Sequence, residues 1–475
     1  MAVDTHHPDY DYYLPDWTKI RDCIAGERKI HAAGEAYLPK LSTKQKDKAY
    51  SAYRDRARFL GATKRTLKGW LGSVFRKPVV ASVPDTLLGH LKDINLAGAP
   101  FATFARGVVQ EVLSVGRAGV LVERQETTTG RAYLVPYKAE EILNWATDIV
   151  DGAQVLSLVV LRHARKERAP DGFGTTSVVE YRVLELADGV YQQSVYRAYE
   201  EGGDLAYVET RTPVLRGAPL SFIPFVFLSS TELTPEIEES PLLDLATLNI
   251  HHYRRTADLC HGLHFTALPT PYTVGDDDTA EPIELGCGTV PNFKNPQTRF
   301  EMLEFSGAGL SAVRQDLEDL KAELAAMGAA YITPPRRDAE TAEAIQLKHA
   351  EQSSPLASIA GACEEGLTLA LKWLAEWEGA DPEAALCRLN KDFDSTRLSA
   401  GDLTALSAAL QSGSITAEVF SHLLSQAEML PPSIGAEEYA ETLREEKEAR
   451  SAKAAAIAGG GKPTAVAVDV PPTGA

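Results

Sequence analysis

Cysteine is sparse and scattered in this chain. Its five residues, Cys23, Cys260, Cys287, Cys363 and Cys387, are odd in number and form no CxxC pair. That excludes a disulfide framework and a thiolate zinc site, and predicts reduced, buried, structural thiols. Long apolar runs are missing too: no uncharged stretch approaches the ~20 residues a membrane-spanning helix needs. The first residues, with Asp4, His6, His7 and Asp9, lack the pattern of a secretory leader. The chain therefore reads as soluble, made inside the cell, with no membrane partner. Catalytic signatures are absent as well. No GxSxG, HExxH or GxGxxG context occurs, and Gly459-Gly460-Gly461-Lys462 fails as a phosphate loop because Pro463 follows the lysine and no strand precedes it. At ~100° per residue His252 and His261 fall on opposite faces of one helix, so the group His251, His252, His261 and His264 does not converge on a metal. The acid pairs Glu364-Glu365 and Glu437-Glu438 read as solvated charges. The expectation is a protein that is not an enzyme, with no catalytic residue, cofactor or metal.

What is present is an ordinary globular balance, 44% hydrophobic and 24% charged in 475 residues, enough for two or more domains. The net charge of −18 hides an asymmetry. Between Arg28 and Lys77 there are 14 Lys or Arg against three acids, a local balance of +11, so the remainder carries −29. Tyr50, Tyr53, Phe59 and Trp70 interleave with these cations. The pattern suits a helix with a solvated basic face and an aromatic core side, able to dock on an acidic protein; a nucleic-acid patch is the other reading. Tight static DNA binding is disfavoured by the overall negative charge.

Helical spacing runs from Thr43 to about Leu71 and from Phe101 to Ser114. The period then changes to that of strands: Val120 to Val122, Ala132 to Val135, Val155 to Leu161, Val178 to Leu186, Val190 to Tyr199, Tyr207 to Leu215 and Phe222 to Leu228. Asp188-Gly189 marks a two-residue hairpin turn, and Glu201-Gly202-Gly203-Asp204 the next reversal, giving an antiparallel meander. Two long helical rods follow, Ser240 to His264, with Ser240 as N-cap and Pro241 in the first turn, and Ser306 to Ala330. Between them lies a Pro/Gly-rich, β-rich knob with candidate strands Thr289 to Phe293 and Phe300 to Phe305. In the second rod Leu310, Val313, Leu317, Leu320, Leu324 and Met327 form one apolar stripe, flanked by Ala312, Ala322, Ala325 and Ala326. The stripe must find a partner, either in a ring of repeated helices or as an ordinary core helix of one chain.

Past a charged loop, Thr333-Pro334-Pro335-Arg336-Arg337-Asp338, a third helical run extends to Glu378, kinked or restarted at Pro355. From Leu398 to about Arg450 a small helical bundle is expected, with a capping box at Ser399 and Asp402, a stop at Gly413 and a cap at Thr416. The Ala/Gly/Pro-rich tail after Ser451 reads as disordered.

This order of parts resembles the portal (head-to-tail connector) proteins of tailed bacteriophages. The segments most similar are Ser306-Gly-Ala-Gly-Leu-Ser-Ala-Val-Arg-Gln-Asp-Leu-Glu-Asp-Leu, Glu340-Thr-Ala-Glu-Ala-Ile with Ser354-Pro-Leu-Ala-Ser-Ile, and Gly413-Ser-Ile-Thr-Ala-Glu-Val-Phe. The resemblance implies an α+β, portal-like subunit: an α/β wing (1–239), a first stem helix (240–264), a small β-rich clip (265–305), a second stem helix (306–330), a tunnel loop (331–338), a long kinked wing helix and strand (339–396), a small helical crown (397–450) and a disordered tail (451–475). It implies a homododecameric ring at one capsid vertex of the virion, assembled in the host cytoplasm, through which double-stranded DNA passes with weak, non-specific contact during packaging and ejection. Its implied partners are the terminase large subunit, a head-tail adaptor, and capsid and scaffold proteins. Arg336, Arg337 and Lys348 become candidate DNA-channel contacts, with salt bridges to Asp338 or Glu340 as their alternative role. Another capsid-associated minor head protein, or a soluble enzyme with an unrecognised site on the meander, are the competing readings.

Overall fold

The computed structural model describes residues 3–125, 130–150, 152–168, 172–198, 204–266, 270–275, 297–303, 308–331, 354–393, 400–426, 429–430 and 435–458. The chain divides into two units, Met1–Phe393 and Asp394–Ala475. The first opens with a helical layer, α1 (Pro8–Ala25), α2 (Glu27–Ala33), α3 (Asp47–Arg56) and α4 (Ala62–Val74), followed by the short β1 (Val80–Ser82) and by α5 (Phe101–Val115). Helices α1 and α2 were not anticipated, because Pro15 inside α1 interrupts the sequence pattern even though Trp17 and Ile20 are fully buried. The single helix expected over Thr43 to Leu71 is two. Residues 57–61 are drawn out of helical geometry by tertiary contacts: Phe59 is buried edge-on against Tyr253, and its N–H donates to Glu27 Oε2 at 2.9 Å.

Helix α5 ends at Gly116, whose φ of 75° supplies the left-handed cap. It leads into β2 (Arg117–Arg124), the central strand of a three-stranded antiparallel sheet with β3 (Ala132–Lys138) on one side and β11 (Phe225–Ser229) on the other. Between them in sequence β4 (Ile142–Val150), β5 (Ala153–Arg168), β6 (Thr175–Ala187), β7 (Val190–Ala198) and β8 (Ala206–Arg211) form a five-stranded antiparallel meander in chain order; the strand pattern predicts β5 to β8 but not β4. Asp188 and Gly189 have φ of 51° and 76°, the two positive values a tight hairpin turn between β6 and β7 requires. The reversal at Glu201–Asp204 falls almost wholly outside the described residues, but β7 and β8 do pair antiparallel. A small hairpin, β9 (Val214–Leu215) with β10 (Ala218–Pro219), precedes β11.

The long helices come next: α6 (Leu243–Thr266), the antiparallel pair β12 (Thr270–Val274) and β13 (Arg299–Leu303), α7 (Ala308–Ala330) and α8 (Pro355–Trp377), before β14 (Leu386–Arg388) closes on β1. Helix α6 begins at Leu243, not at Ser240, because the Ser240 hydroxyl donates to Val115 O at 2.9 Å instead of capping. It also continues two residues past His264. Helix α7 opens at Ala308; the expected strand Thr289 to Phe293 lies outside the described residues. Pro355 opens a helix, with Ser354 Oγ accepting from Ala357 N at 3.2 Å and the proline in the first turn; the helical run expected ahead of it, from Asp338, lies outside the described residues. Helix α8 packs with α5 against β2 and β11, placing Ile359, Cys363, Leu367, Leu371 and Leu374 in the main core.

The second unit contains α9 (Ala400–Ser412), α10 (Ala417–Gln426) and α11 (Ala436–Ala458). Gly413, at φ 79°, ends α9, and Thr416 Oγ1 accepts from Val419 N at 3.4 Å, both as expected. An Arg444–Glu418 ion pair ties α11 to α10. The Ser399 cap lies outside the described residues. Residues 451–458 are helical, against the expectation of disorder beyond Ser451, and the alanines and Lys453 there are strong helix formers.

Candidate functional site: the helix pair and its anchor

Helix α6 changes character along its length. Leu245, Ala246, Asn249, Ile250, His252, Tyr253 and Ala257 are buried, where the helix runs through the layer made by α1, α3 and α4. From Asp258 onward its residues are half-buried or exposed, with α7 as the main neighbour. The buried half is cross-linked by polar side chains. Asn249 is fully buried; its Oδ1 accepts from Thr63 N (3.2 Å) and Thr63 Oγ1 (3.0 Å), while its Nδ2 donates to Leu60 O (2.7 Å). Helix α4 has Gly61 at its N-cap and no cap of its own, so Asn249 supplies the missing acceptor from another helix. Tyr53 OH donates to Asp258 Oδ1 at 2.8 Å, and Arg254 Nε to Tyr37 O at 2.7 Å.

The apolar stripe of α7 faces α6. Leu317, Leu320 and Leu324 are buried and Leu310, Val313 and Met327 half-buried, so their partner is in the same chain. Gly262 permits the approach: a Cβ there would sit 2.6 Å from Leu310 Cδ2. Arg255 and Asp316 add an exposed ion pair at 3.0 Å, worth well under ~1 kcal/mol. The flanking Ala312, Ala322, Ala325 and Ala326 stay exposed.

The C-terminal end of α7 is fixed to α4. Trp70 Nε1 donates to Gly328 O at 2.9 Å, and the Trp70 indole stacks on Tyr331 with centroids 4.3 Å apart and planes at 25°. Leu356 N donates to Tyr331 O at 3.2 Å. The chain thus leaves this anchor at Tyr331 and returns to it at Ser354. Arg336, Arg337 and Lys348, the candidate channel contacts, lie between those points and outside the described residues. The basic segment behaves as its pattern predicts: Tyr50, Tyr53, Phe59 and Trp70 are buried, while Arg28, Lys29, Lys44, Lys46, Lys48, Arg58, Lys64, Arg65 and Lys68 are exposed.

Other clusters are structural. A cleft of about 800 Å³ beside the meander contains Glu123, Arg124, Tyr133, Gln193 and Trp377. Glu123 is committed there, accepting from Arg182 Nη1 (2.8 Å), Tyr133 OH (2.8 Å) and Gln193 Nε2 (2.9 Å), which makes it a fixed cross-link. Burial pushes the thiols of Cys23, Cys363 and Cys387 up to about 12, consistent with inert cysteines; Cys260 is half-buried and Cys287 lies outside the described residues. Among the described residues no group of three His, Cys, Asp or Glu could hold a metal, and no helix is long and apolar enough to cross a membrane.

Of the four histidines, His252 is 4% exposed, and its Nε2 has no hydrogen-bond partner among the described residues. Burial, with Lys321 of α7 nearby, lowers its pKa against the smaller opposing pull of Glu318; His251 on its own helix also lowers it. A histidine with a folded-state pKa below its unfolded value of 6.5 stabilises the fold above that pH and loses this contribution as pH falls. The unfolding free energy of the first unit is therefore expected to decline from pH 6.5 toward 5, and His252→Gln to remove part of the slope in urea titrations. An identical slope in the variant would assign the pH dependence elsewhere.

Residues 241–378, from two residues before α6 to the residue after α8, match a protein-family model described as a domain of unknown function, DUF4055. No curated protein matches the chain. Among solved structures the chain is similar to one from the neck of a native GTA particle computed with C12 symmetry, at 13% identity and a TM-score of 0.39, covering 78% of this chain and 90% of that one. It is also similar to one from the neck of an empty GTA particle computed with C6 symmetry, at 13% identity and a TM-score of 0.38, covering 86% of this chain and all of that one.

Proposed function

We propose that this chain is a portal subunit: about twelve copies form a ring at one capsid vertex, through which the genome is packaged and ejected and on which the terminase large subunit and the head-tail adaptor dock. The observation that carries this reading is the paired helices α6 and α7, joined across β12 and β13 and pinned at one end by Trp70 and Tyr331. In this assignment α6 and α7 are the stem, β12 and β13 belong to the clip, residues 1–239 form the wing, the stretch after Tyr331 is the tunnel loop, α8 is the wing helix and α9 to α11 the crown. Twelve copies at −18 each carry a formal −216, which repels phosphate and keeps DNA from adhering to the wall. Arg336, Arg337 and Lys348 supply the few positive contacts to the passing backbone.

Negative-stain imaging with native mass on the purified chain tests the ring. Rings with a central hole and a mass near twelve or thirteen subunits are expected, whereas a particle that stays small on concentration, and with capsid or scaffold protein added, would exclude a portal. In packaging assays Arg336→Ala/Arg337→Ala is expected to slow translocation or shorten the packaged DNA without loss of rings. Unchanged rate and length would remove the two arginines from the channel.

A further inference from the structure

A second cleft, of about 510 Å³, opens where the chain passes from β11 into α6, and Ser230, Glu238, Glu239, Asp244 and Tyr331 line it. Glu239 and Asp244 are exposed, and none of the three carboxylates has an ion-pair partner among the described residues. Ser230 adds an independent sign of a missing ligand. It is 8% exposed, yet its Oγ has no hydrogen-bond partner among the described residues. A buried hydroxyl left without a partner is unfavourable, and at the edge of three carboxylates the group that completes it is a cationic donor, an ammonium or guanidinium. The field is strong enough to reinforce burial in raising the pKa of Tyr331, through Asp244 and then Glu239.

The matching cations are on α4. Lys64, Arg65 and Lys68 are exposed; Arg65 Nε donates to Gly61 O at 3.2 Å, and Lys64 and Lys68 have no ion-pair partner among the described residues. At ~100° per residue these three positions lie about 120° to 220° around the helix from Trp70. Trp70 faces Tyr331, which borders the acidic cleft, so the basic face of α4 is turned away from it. Among the described residues no ion pair joins the two surfaces within one chain, whereas two copies can bring them together.

We infer that neighbouring copies join head to tail, the basic face of α4 on one seating Lys64 and Lys68 in the Ser230–Glu239–Asp244 cleft of the next. This rests on the ring reading above and identifies the surfaces that make the ring. A heterologous contact of this kind closes into a ring when its rotation divides a full turn. The segregation of charge, +11 between residues 28 and 77 against −29 elsewhere, is what such a joint uses.

The test is native mass on the full chain at low and high salt. Lys64→Glu/Lys68→Glu and Glu239→Lys/Asp244→Lys are each expected to lower the assembled fraction more than about tenfold, since like charges then meet across the joint. Circular dichroism should leave both folded, because all four side chains are exposed. Mixing the two variants is expected to restore rings of alternating composition with an even subunit number, and the fourfold variant to restore them in a single chain. Rings undiminished in both double variants, or no rescue on mixing, would overturn the inference while leaving the portal reading intact. If only the α4 variant changes, and what it loses is DNA retention with rings preserved, the basic face is a nucleic-acid contact and the inference fails. A wild-type chain that stays monomeric at every concentration and salt overturns the ring reading itself, and this joint with it.

Discussion

Trp70→Ala is expected to lower the unfolding free energy of the 1–393 unit by about 3–5 kcal/mol, the range for deleting a fully packed aromatic side chain. Trp70 is 1% exposed and ends a chain of contacts: its indole N–H holds Gly328 O, its ring face holds Tyr331, and Tyr331 O in turn holds Leu356 N. Removing it therefore loosens the C-terminal end of α7 and the start of α8 together. All five tryptophans, Trp17, Trp70, Trp145, Trp373 and Trp377, lie in the first unit, so fluorescence-detected urea unfolding of the full chain reads that unit. Trp70→Phe separates the two contributions. It keeps most of the stacking surface and loses the hydrogen bond, and should cost about 1–2 kcal/mol. A loss below ~1 kcal/mol for the alanine variant would mean that the anchor is not coupled to the core. The same variant carries a functional readout: if the anchor presents Arg336 and Arg337 to the channel, Trp70→Ala should impair packaging at temperatures where the protein is still folded.

The elements legible in the sequence are those whose determinants are local. The turn at Asp188-Gly189 needs only two residues tolerant of positive φ, and the α7 stripe is a repeat of spacing within one helix. Strand β4 escaped because its pairing with β5 shifts register between Ile142 and Asn144 and again between Ala146 and Thr147, which breaks the alternation a strand is read by. The division of α3 from α4 escaped for a different reason. Residues 57–61 contain no proline, and what unwinds them is contact with Glu27, Asn249 and Tyr253, residues distant in sequence. Ser240 has the identity of an N-cap but spends its hydroxyl on Val115 O, a choice that only the packing of α5 explains. The candidate site divides in the same way. Arg336 and Arg337 stand out as charges beside prolines, whereas the acidic cleft draws on the linker between β11 and α6, on α6, on Tyr331 just past α7 and on α8, and no spacing rule joins Ser230 to Tyr331.

Asn249→Ala is expected to cost about 3 kcal/mol in the same urea measurement, although the side chain lost is small. At a fully buried position the substitution leaves Thr63 N–H, the Thr63 hydroxyl and Leu60 O without their partner, and each buried polar group so abandoned costs about 1–3 kcal/mol, reduced where local shifts or water recover a bond. The amide is suited to the place because it accepts and donates at once. Asn249→Asp keeps the acceptor but sets an anion against Leu60 O, so it should destabilise despite near-identical shape, whereas an ordinary helix position would tolerate it. A double-mutant cycle with Thr63→Val isolates the bridge, with a coupling of about 1 kcal/mol expected between positions 63 and 249. Strict additivity would show that the Thr63 hydroxyl is not coupled to Asn249. The bridge also sets the geometry on which the proposed joint depends, because it fixes the start of α4, and with it Lys64 and Lys68, to the helix that carries Asp244. Asn249→Ala should therefore weaken ring formation under conditions where each chain remains folded, an effect that raising the protein concentration reverses by mass action.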